Sequence, residues 1–381
     1  MMGIHIEEAA VIYRTVAGEQ VSQLGFGMMR LPTADGKIDQ RKVNQMVSSA
    51  IDRGLNYLDT AYVYHGGLSE ASLAEALAGG RREQVMIADK CPVWLVESPA
   101  DFPRLLDEQL ERLKTDHIDF YLLHALNQGT WDKCLKHGAI EFCEKAKAQG
   151  KIRHFGFSFH DETPVFLPIL KHYPWEFCQV QYNYLDRQYQ ACESGLEAAA
   201  AQGTSVVVME PLRGGNLAGP VPRTVQDLWD RAPKRRTAAE WALRWVWNHP
   251  DVGVVLSGMG TQEQVDENLA TAATARAGAL TPEELTLVDQ AEKAYRSLIQ
   301  VGCTACRYCM PCPHGVDIPA NFTAYNSYHM FDRSPGARGA YQWIAAGARA
   351  DQCVRCGACT PQCPQGIAIP EVLAQVAQTL G

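Results

Sequence analysis

Between residues 21 and 275 the chain alternates short apolar runs with longer stretches in which apolar residues return every three or four positions. The runs are "LGFGMMRL", "LNYLDTA", "QVMIADK", "IDFYLLHA", "IRHFGFSF", "FCQVQYN", "TSVVVME" and "VGVVLSGM". Their near-continuous apolar character predicts strands buried on both faces, the signature of a parallel sheet covered by helices. Segments such as "VNQMVSSAIDRG", "DFPRLLDEQLERL" and "TAAEWALRWVWNH" supply those helices. Eight such units over this length predict a closed (β/α)8 barrel of the α/β class. An open, doubly wound sheet is the alternative, but no GxGxxG follows the first run. The opening "VIYRTVAGEQVSQL" carries a Gly-centred turn between β-rich runs and predicts a hairpin across the barrel floor. In "LTPEELTLVDQAEKAYRSL", Thr281 followed by Glu284 predicts a capped helix after the barrel.

The pattern then changes. "CTACRYCMPCP" begins at Cys303 and "CVRCGACTPQCP" at Cys353, with helix-patterned chain between them, including "ANFTAYNSYHMF" and "ARGAYQWIAAGARA". The expected organisation is a barrel domain over residues 1–298 and a small α-helical, ferredoxin-like domain over 299–381, folded around metal.

Composition narrows the class of function. The net charge of -8 argues against a nucleic-acid or membrane-surface binder, which would need a basic excess. No apolar run approaches the roughly 20 residues of a membrane span. The start, "MMGIHIEEAA", is acidic where a signal peptide would be basic, so a cytoplasmic location is expected. In that compartment 13 cysteines point to metal or redox chemistry before disulfides. Cys91, Cys134, Cys143, Cys178 and Cys192 are scattered and read as small core residues, with Cys91 set apart by its neighbour Lys90. The other eight lie between 303 and 363.

Cys353, Cys356, Cys359 and Cys363, with Pro364, have the C-x2-C-x2-C-x3-C-P spacing of bacterial ferredoxins. In that arrangement three close thiolates hold one [4Fe–4S] cluster and the fourth reaches a second. Cys303, Cys306, Cys309 and Cys312, with Pro313, repeat the run with its last gap one residue shorter. By analogy, Cys303, Cys306, Cys309 and Cys363 hold one cluster, and Cys353, Cys356, Cys359 and Cys312 the other. Zinc is the alternative, since paired CxxC sequences also build tetrahedral sites.

Barrel active sites form where strands end. Reading those ends gives Asp59 and Tyr64 after the second run, Lys90 after the third and His124 after the fourth. A tyrosine beside an ammonium can act as an acid, because the cation stabilises the phenolate and lowers its pKa. Asp59 would keep Lys90 charged, His124 would orient a carbonyl or relay a proton, and Tyr64 would protonate the carbonyl oxygen as hydride reaches carbon.

Over about residues 15–300 the sequence resembles the aldo-keto reductase family. "LGFGMMRLP" is similar to its first strand, "LDTAYVYHGG" to its DTAxxYG motif, and "MIADKCP" and "IDFYLLHA" to the segments bearing its lysine and histidine. The resemblance implies the catalytic tetrad Asp59, Tyr64, Lys90 and His124. It also implies nucleotide contacts: Ser158 in "FGFSFHD" and Gln179 in "CQVQYNYL" near the nicotinamide, Leu212, Arg213 and Gly215 in "MEPLRGG" over the pyrophosphate, and Asn268 in "SGMGTQEQVDENL" at the adenine. The family stacks an aromatic on the nicotinamide, and Met209 stands at that position here. NADPH-preferring members carry basic residues after the last strand. Here Gly258, Met259, Gly260 and Gln264 supply none, so NADH is favoured unless an arginine elsewhere, such as Arg223 or Arg235, takes that place.

A barrel followed by a ferredoxin module resembles the ferredoxin-containing branch of the family. The resemblance implies a nicotinamide-dependent oxidoreductase acting on a small-molecule carbonyl or alcohol, with clusters carrying electrons to or from a protein partner. Two other functions stay open: clusters that are structural or oxygen-sensing, and a redox-responsive binding subunit without turnover.

Overall fold

Each of the eight apolar runs becomes a strand in the computed structural model, which describes residues 11–332 and 335–381. The strands are Leu24–Gly27 (β1), Tyr57–Asp59 (β2), Met86–Cys91 (β3), Ile118–Leu126 (β4), Ile152–Phe159 (β5), Phe177–Gln181 (β6), Ser205–Met209 (β7) and Val252–Ser257 (β8). They pair in parallel in sequence order, and β8 closes on β1 through Val255 and Leu24. An open sheet is thereby excluded, because neither edge is left unpaired.

Alternation along each strand decides what the barrel holds. Tyr57, Ala88, Phe120, Leu122, Phe177, Val207, Val254 and Leu256 fill the interior together with Val16 and Val21. Those two valines come from the hairpin Tyr13–Val16 and Glu19–Ser22, so the hairpin plugs the floor. Its turn uses Ala17 and Gly18, both at positive φ, as a two-residue hairpin requires. Room for the large rings comes from Gly156 on β5, where a Cβ would lie 2.8 Å from the Phe177 ring.

The chain divides into two compact units. One comprises the chain up to Pro211 with Leu243–Leu280; the other comprises Leu212–Ala242 with Thr281–Gly381. In the second unit, helix Pro282–Ser297 begins with the reciprocal cap between Thr281 and Glu284. Its other core joins helix Ile318–Met330 to helix Ile369–Leu380 through Ile318, Phe322, Tyr325, Ile369, Leu373 and Val376. Among the described residues no helix is long and apolar enough to cross a membrane.

Candidate active site

The inward periodicity that places Ala88 in the barrel core places Lys90, two residues on, at the strand's exit. There its Nζ donates to Asp59 Oδ1 at 2.7 Å, to Asp59 Oδ2 at 2.8 Å and to the Thr60 carbonyl at 2.6 Å. Both side chains are buried, so the pair is shielded from solvent competition. Burial opposes the Lys90 charge, but Asp59 and then Tyr64 hold its pKa above the usual lysine value. Burial likewise lifts the Asp59 carboxyl, and the ammonium pulls it back.

Tyr64 opens a short 3-10 turn, and Lys90 Nζ lies 5.1 Å from the centre of its ring. The next residue, His65, adopts the left-handed region at φ 52°, and its Nε2 accepts from the Leu31 N–H at 3.2 Å. That bond ties the Tyr64 turn to the chain leaving β1. The expectation of a lowered tyrosine pKa is not met: burial pushes the Tyr64 phenol above its ordinary value, outweighing the pull of Lys90. The phenol is therefore protonated at neutral pH, the form a proton donor needs.

His124 leaves β4 where the register with β5 shifts between Leu123 and Leu126, and Ala125 takes a φ of 53°. Such bulges re-aim side chains at barrel rims. The ring lies 6.1 Å from Tyr64 and 5.0 Å from Trp94, centre to centre. Burial, followed by the Lys90 charge, holds its pKa well below the ordinary value, so the imidazole is neutral. Its Nδ1 is buried and has no protein partner. The structure thus brings Asp59, Tyr64, Lys90 and His124 around one point at the strand exits.

The residues expected around a nucleotide are distributed between the two units. Ser158 and Gln179 are cross-strand neighbours on β5 and β6, both buried. Ser158 Oγ accepts from the Ala125 N–H at 2.8 Å, whereas Gln179 Oε1 is buried with no protein partner. A carboxamide N–H is the kind of donor that oxygen lacks, so the pair fits a nicotinamide. Met209 ends β7 and is half-buried. Asn268 is buried and donates to Ser257 Oγ at 2.9 Å. Leu212, Arg213 and Gly215 belong to the second unit, where the Arg213 guanidinium lies 5.1 Å over the Phe331 ring.

The loop after β8 holds one surprise. Gln264 Oε1 is engaged by the Gly260 N–H at 2.8 Å, but a Cβ on Gly258 would lie 3.2 Å from Cβ and Cγ of Arg30. An exposed arginine from the exit of β1 therefore adjoins the loop that has no basic residue of its own. Arg223 pairs with Asp227 at 2.7 Å, and Arg235 with Asp230 at 3.8 Å.

Cys91 is fully buried and its thiol is pushed up to about 12, chiefly by burial, so it is inert despite its neighbour Lys90.

In the second unit the eight clustered cysteines separate into two sets, each lining its own small cavity. Cys303, Cys306, Cys309 and Cys363 line one, and Cys312, Cys353, Cys356 and Cys359 the other. The loops share a backbone pattern. Ala305 and Arg307 in the first, and Arg355 and Gly357 in the second, occupy the second and fourth positions after the leading cysteine, all at positive φ. Alternation of this kind turns successive N–H groups into a concave anion-binding nest, and the Ala305 N–H already lies 3.4 Å from Cys303 Sγ. Four thiols lining one cavity, with N–H groups of a nest beside them, are a donor set that fits an anionic sulfide-bearing cluster. The repeat also runs further than the cysteines: "CPHGVDIP" and "CPQGIAIP" lead into the two core helices, with Gly315 and Gly366 both at positive φ. That signal was open in the sequence and lay outside the cysteine spacing.

Comparison with known proteins agrees with this architecture. The profile of the Aldo/keto reductase family matches residues 23–293, and that of a 4Fe-4S dicluster domain matches residues 302–368. The first match spans more than half of the chain, which therefore belongs to the aldo/keto reductase family. The holo form of aldo-keto reductase AKR11C1 from Bacillus halodurans superposes with a TM-score of 0.63 at 30% identity, over 74% of this chain and 96% of that one. An aldo-keto reductase from Klebsiella pneumoniae, solved in complex with NADPH, gives 0.59 at 26% identity, over 73% and 95%. The NADH-specific methylglyoxal reductase of Escherichia coli is 25% identical over 295 residues, 66% of this chain and 89% of that protein. The chain is thus an oxidoreductase of this family, extended by an iron–sulfur domain.

Proposed function

We propose that the barrel reduces a small-molecule carbonyl, or oxidises the corresponding alcohol, with a nicotinamide cofactor, and that the cysteine unit carries two [4Fe–4S] clusters exchanging electrons with a protein partner. The observation that carries this reading is Lys90, held on one side by both oxygens of Asp59 and lying on the other beside the protonated Tyr64. Bound nicotinamide would supply the hydride, and the clusters one electron each.

The chain's own residues do the rest. Tyr64 gives its proton to the carbonyl oxygen, and Lys90 stabilises the phenolate left behind. Asp59 keeps Lys90 charged in a buried site. Neutral His124 orients the carbonyl, while Ser158 and the unpaired Gln179 Oε1 receive the carboxamide. Met209 packs against the nicotinamide ring. Leu212, Arg213 and Gly215 would hold the pyrophosphate, and Asn268 would hold the adenine. NADH is the proposed nucleotide because Gly258, Met259, Gly260 and Gln264 offer a 2′-phosphate no cation of their own.

A structural task for the clusters has support of its own: Cys303, Cys309, Cys312, Cys353, Cys359 and Cys363 pack against the core of the second unit. Tyr64→Phe tests the central step. It should lower carbonyl reduction by roughly 10² to 10⁴ while nucleotide affinity, read by fluorescence titration, stays nearly unchanged. Undiminished turnover would remove Tyr64 from the reaction.

A further inference from the structure

We propose that Glu70 and Asp89 share one buried proton and together hold the backbone of Lys90 in place. The positioning role rests on the reductase reading above; the shared proton does not.

Asp89 precedes Lys90 on β3, so its side chain leaves the opposite face of the sheet. There it shares a wall with Glu70 of helix Ser69–Ala76: Gln109, which donates to Asp89, and Arg112, which donates to Glu70, lie one turn apart on helix Asp101–Leu113, and each carboxyl acts on the other. Both residues are 0% exposed. Asp89 Oδ1 accepts from the Lys90 N–H at 2.8 Å, and Asp89 Oδ2 accepts from Gln109 Nε2 at 2.8 Å. The same Gln109 nitrogen donates to the Lys90 carbonyl at 3.0 Å, and its Oε1 accepts from Tyr121 at 2.9 Å. Both peptide groups of Lys90 are therefore clamped from behind, while its ammonium faces Asp59 in front.

A count of donors shows that the pair needs one. Both Asp89 oxygens already accept from fixed N–H donors. Glu70 Oε2 accepts from Arg112 Nη1 at 2.9 Å, whereas Glu70 Oε1 is buried without a donor. Two adjacent buried carboxylates cannot both be charged against one guanidinium. A hydrogen held between Glu70 Oε1 and Asp89 satisfies the orphaned oxygen and makes the group of Glu70, Asp89 and Arg112 neutral.

Burial first, and then Glu70, pushes Asp89 well above its ordinary value, while burial raises Glu70 and its bonds to Arg112 and Asp89 pull it back. The titratable groups around the pair are Arg112 on helix Asp101–Leu113, Lys90 and Cys91 on β3, Tyr121 on β4 and Tyr64 beyond β2. Every one of them is shifted upward, so none changes charge near neutral pH.

Infrared spectra of the full chain at neutral pH read the proton directly. A carboxylic-acid carbonyl band that moves on deuteration is expected in the wild type and lost in both Glu70→Gln and Asp89→Asn. Absence of the band from the wild type, or its survival in Glu70→Gln, overturns the shared proton. For the positioning role, Glu70→Ala should lower kcat on the order of tenfold with KM nearly constant, and Glu70→Gln, which keeps a hydrogen for Asp89, should recover most of that loss. Amide hydrogen exchange in β3, which needs no turnover, should speed up in the alanine variant and return in the glutamine variant. Equal kcat losses in the two variants, or β3 exchange that neither changes, overturns the positioning role. The band and the exchange order without any carbonyl turnover would support the acid pair and count against the reductase reading alone.

Discussion

The barrel mouth and the cysteine unit hold their chemistry in different ways. At the mouth the chain satisfies itself: Lys90 has three oxygen partners within 2.8 Å, and Tyr64 and His124 pack edge to face around it. Gln179 Oε1 and His124 Nδ1 are buried there without a protein partner, and a small ligand can supply one. In the cysteine unit two sets of four thiols surround cavities, and Cys306 and Cys356 are exposed. The first region is pre-organised by a closed sheet. On the proposed reading the second, with its cysteine loops at positive φ, is completed by the clusters it binds.

Removing the proposed clusters should therefore produce the largest effect. Stripping iron with a chelator is expected to abolish protection of helices Ile318–Met330 and Ile369–Leu380 in hydrogen exchange, because cluster binding is also folding energy there. The strands of the barrel should keep their protection. Equal loss in both regions, or none in either, would erase the contrast.

A smaller effect is expected at the nucleotide. Lacking charge-assisted bonds to a 2′-phosphate should make NADPH weaker than NADH by about tenfold. Tighter, salt-sensitive NADPH binding that disappears in Arg30→Ala would instead give Arg30 the role that the loop after β8 lacks.

Much of this was legible because the informative residues sit in local patterns. Apolar runs with a fixed period mark all eight strands, and a strand's exit follows directly from its end, which brings Asp59, Lys90 and His124 to one face. Spacing alone likewise separates clustered from scattered cysteines. Three features depend on contacts between distant segments and had no local signal. Arg30 reaches Gly258 only because β8 pairs with β1, and Glu70 comes near Asp89 only because helix Ser69–Ala76 packs on helix Asp101–Leu113, which lies against β3. Residues Leu212–Ala242 group with the C-terminal unit through packing such as Arg213 on Phe331. The sign of the Tyr64 shift was missed for a related reason: a neighbouring charge can be read from a motif, but desolvation requires the whole surrounding wall.

The smallest effect concerns stability at the mouth. The folded pKa of His124 lies well below its unfolded value near 6.5, so the unfolded chain binds a proton that the folded chain does not. Stability should fall as pH drops below that unfolded value, by at most about 1.4 kcal/mol per pH unit from this residue. His124→Gln should flatten this part of the pH dependence of the denaturation midpoint between neutral and acidic buffer. A variant with the same slope as the wild type would mean that His124 is not held neutral by burial.

Metal analysis of the anaerobically purified protein tests most directly whether the cysteine unit is completed by what it binds. About eight irons and about eight acid-labile sulfides per chain are expected, with a brown absorbance that dithionite bleaches. Stoichiometric zinc with no labile sulfide would contradict the account.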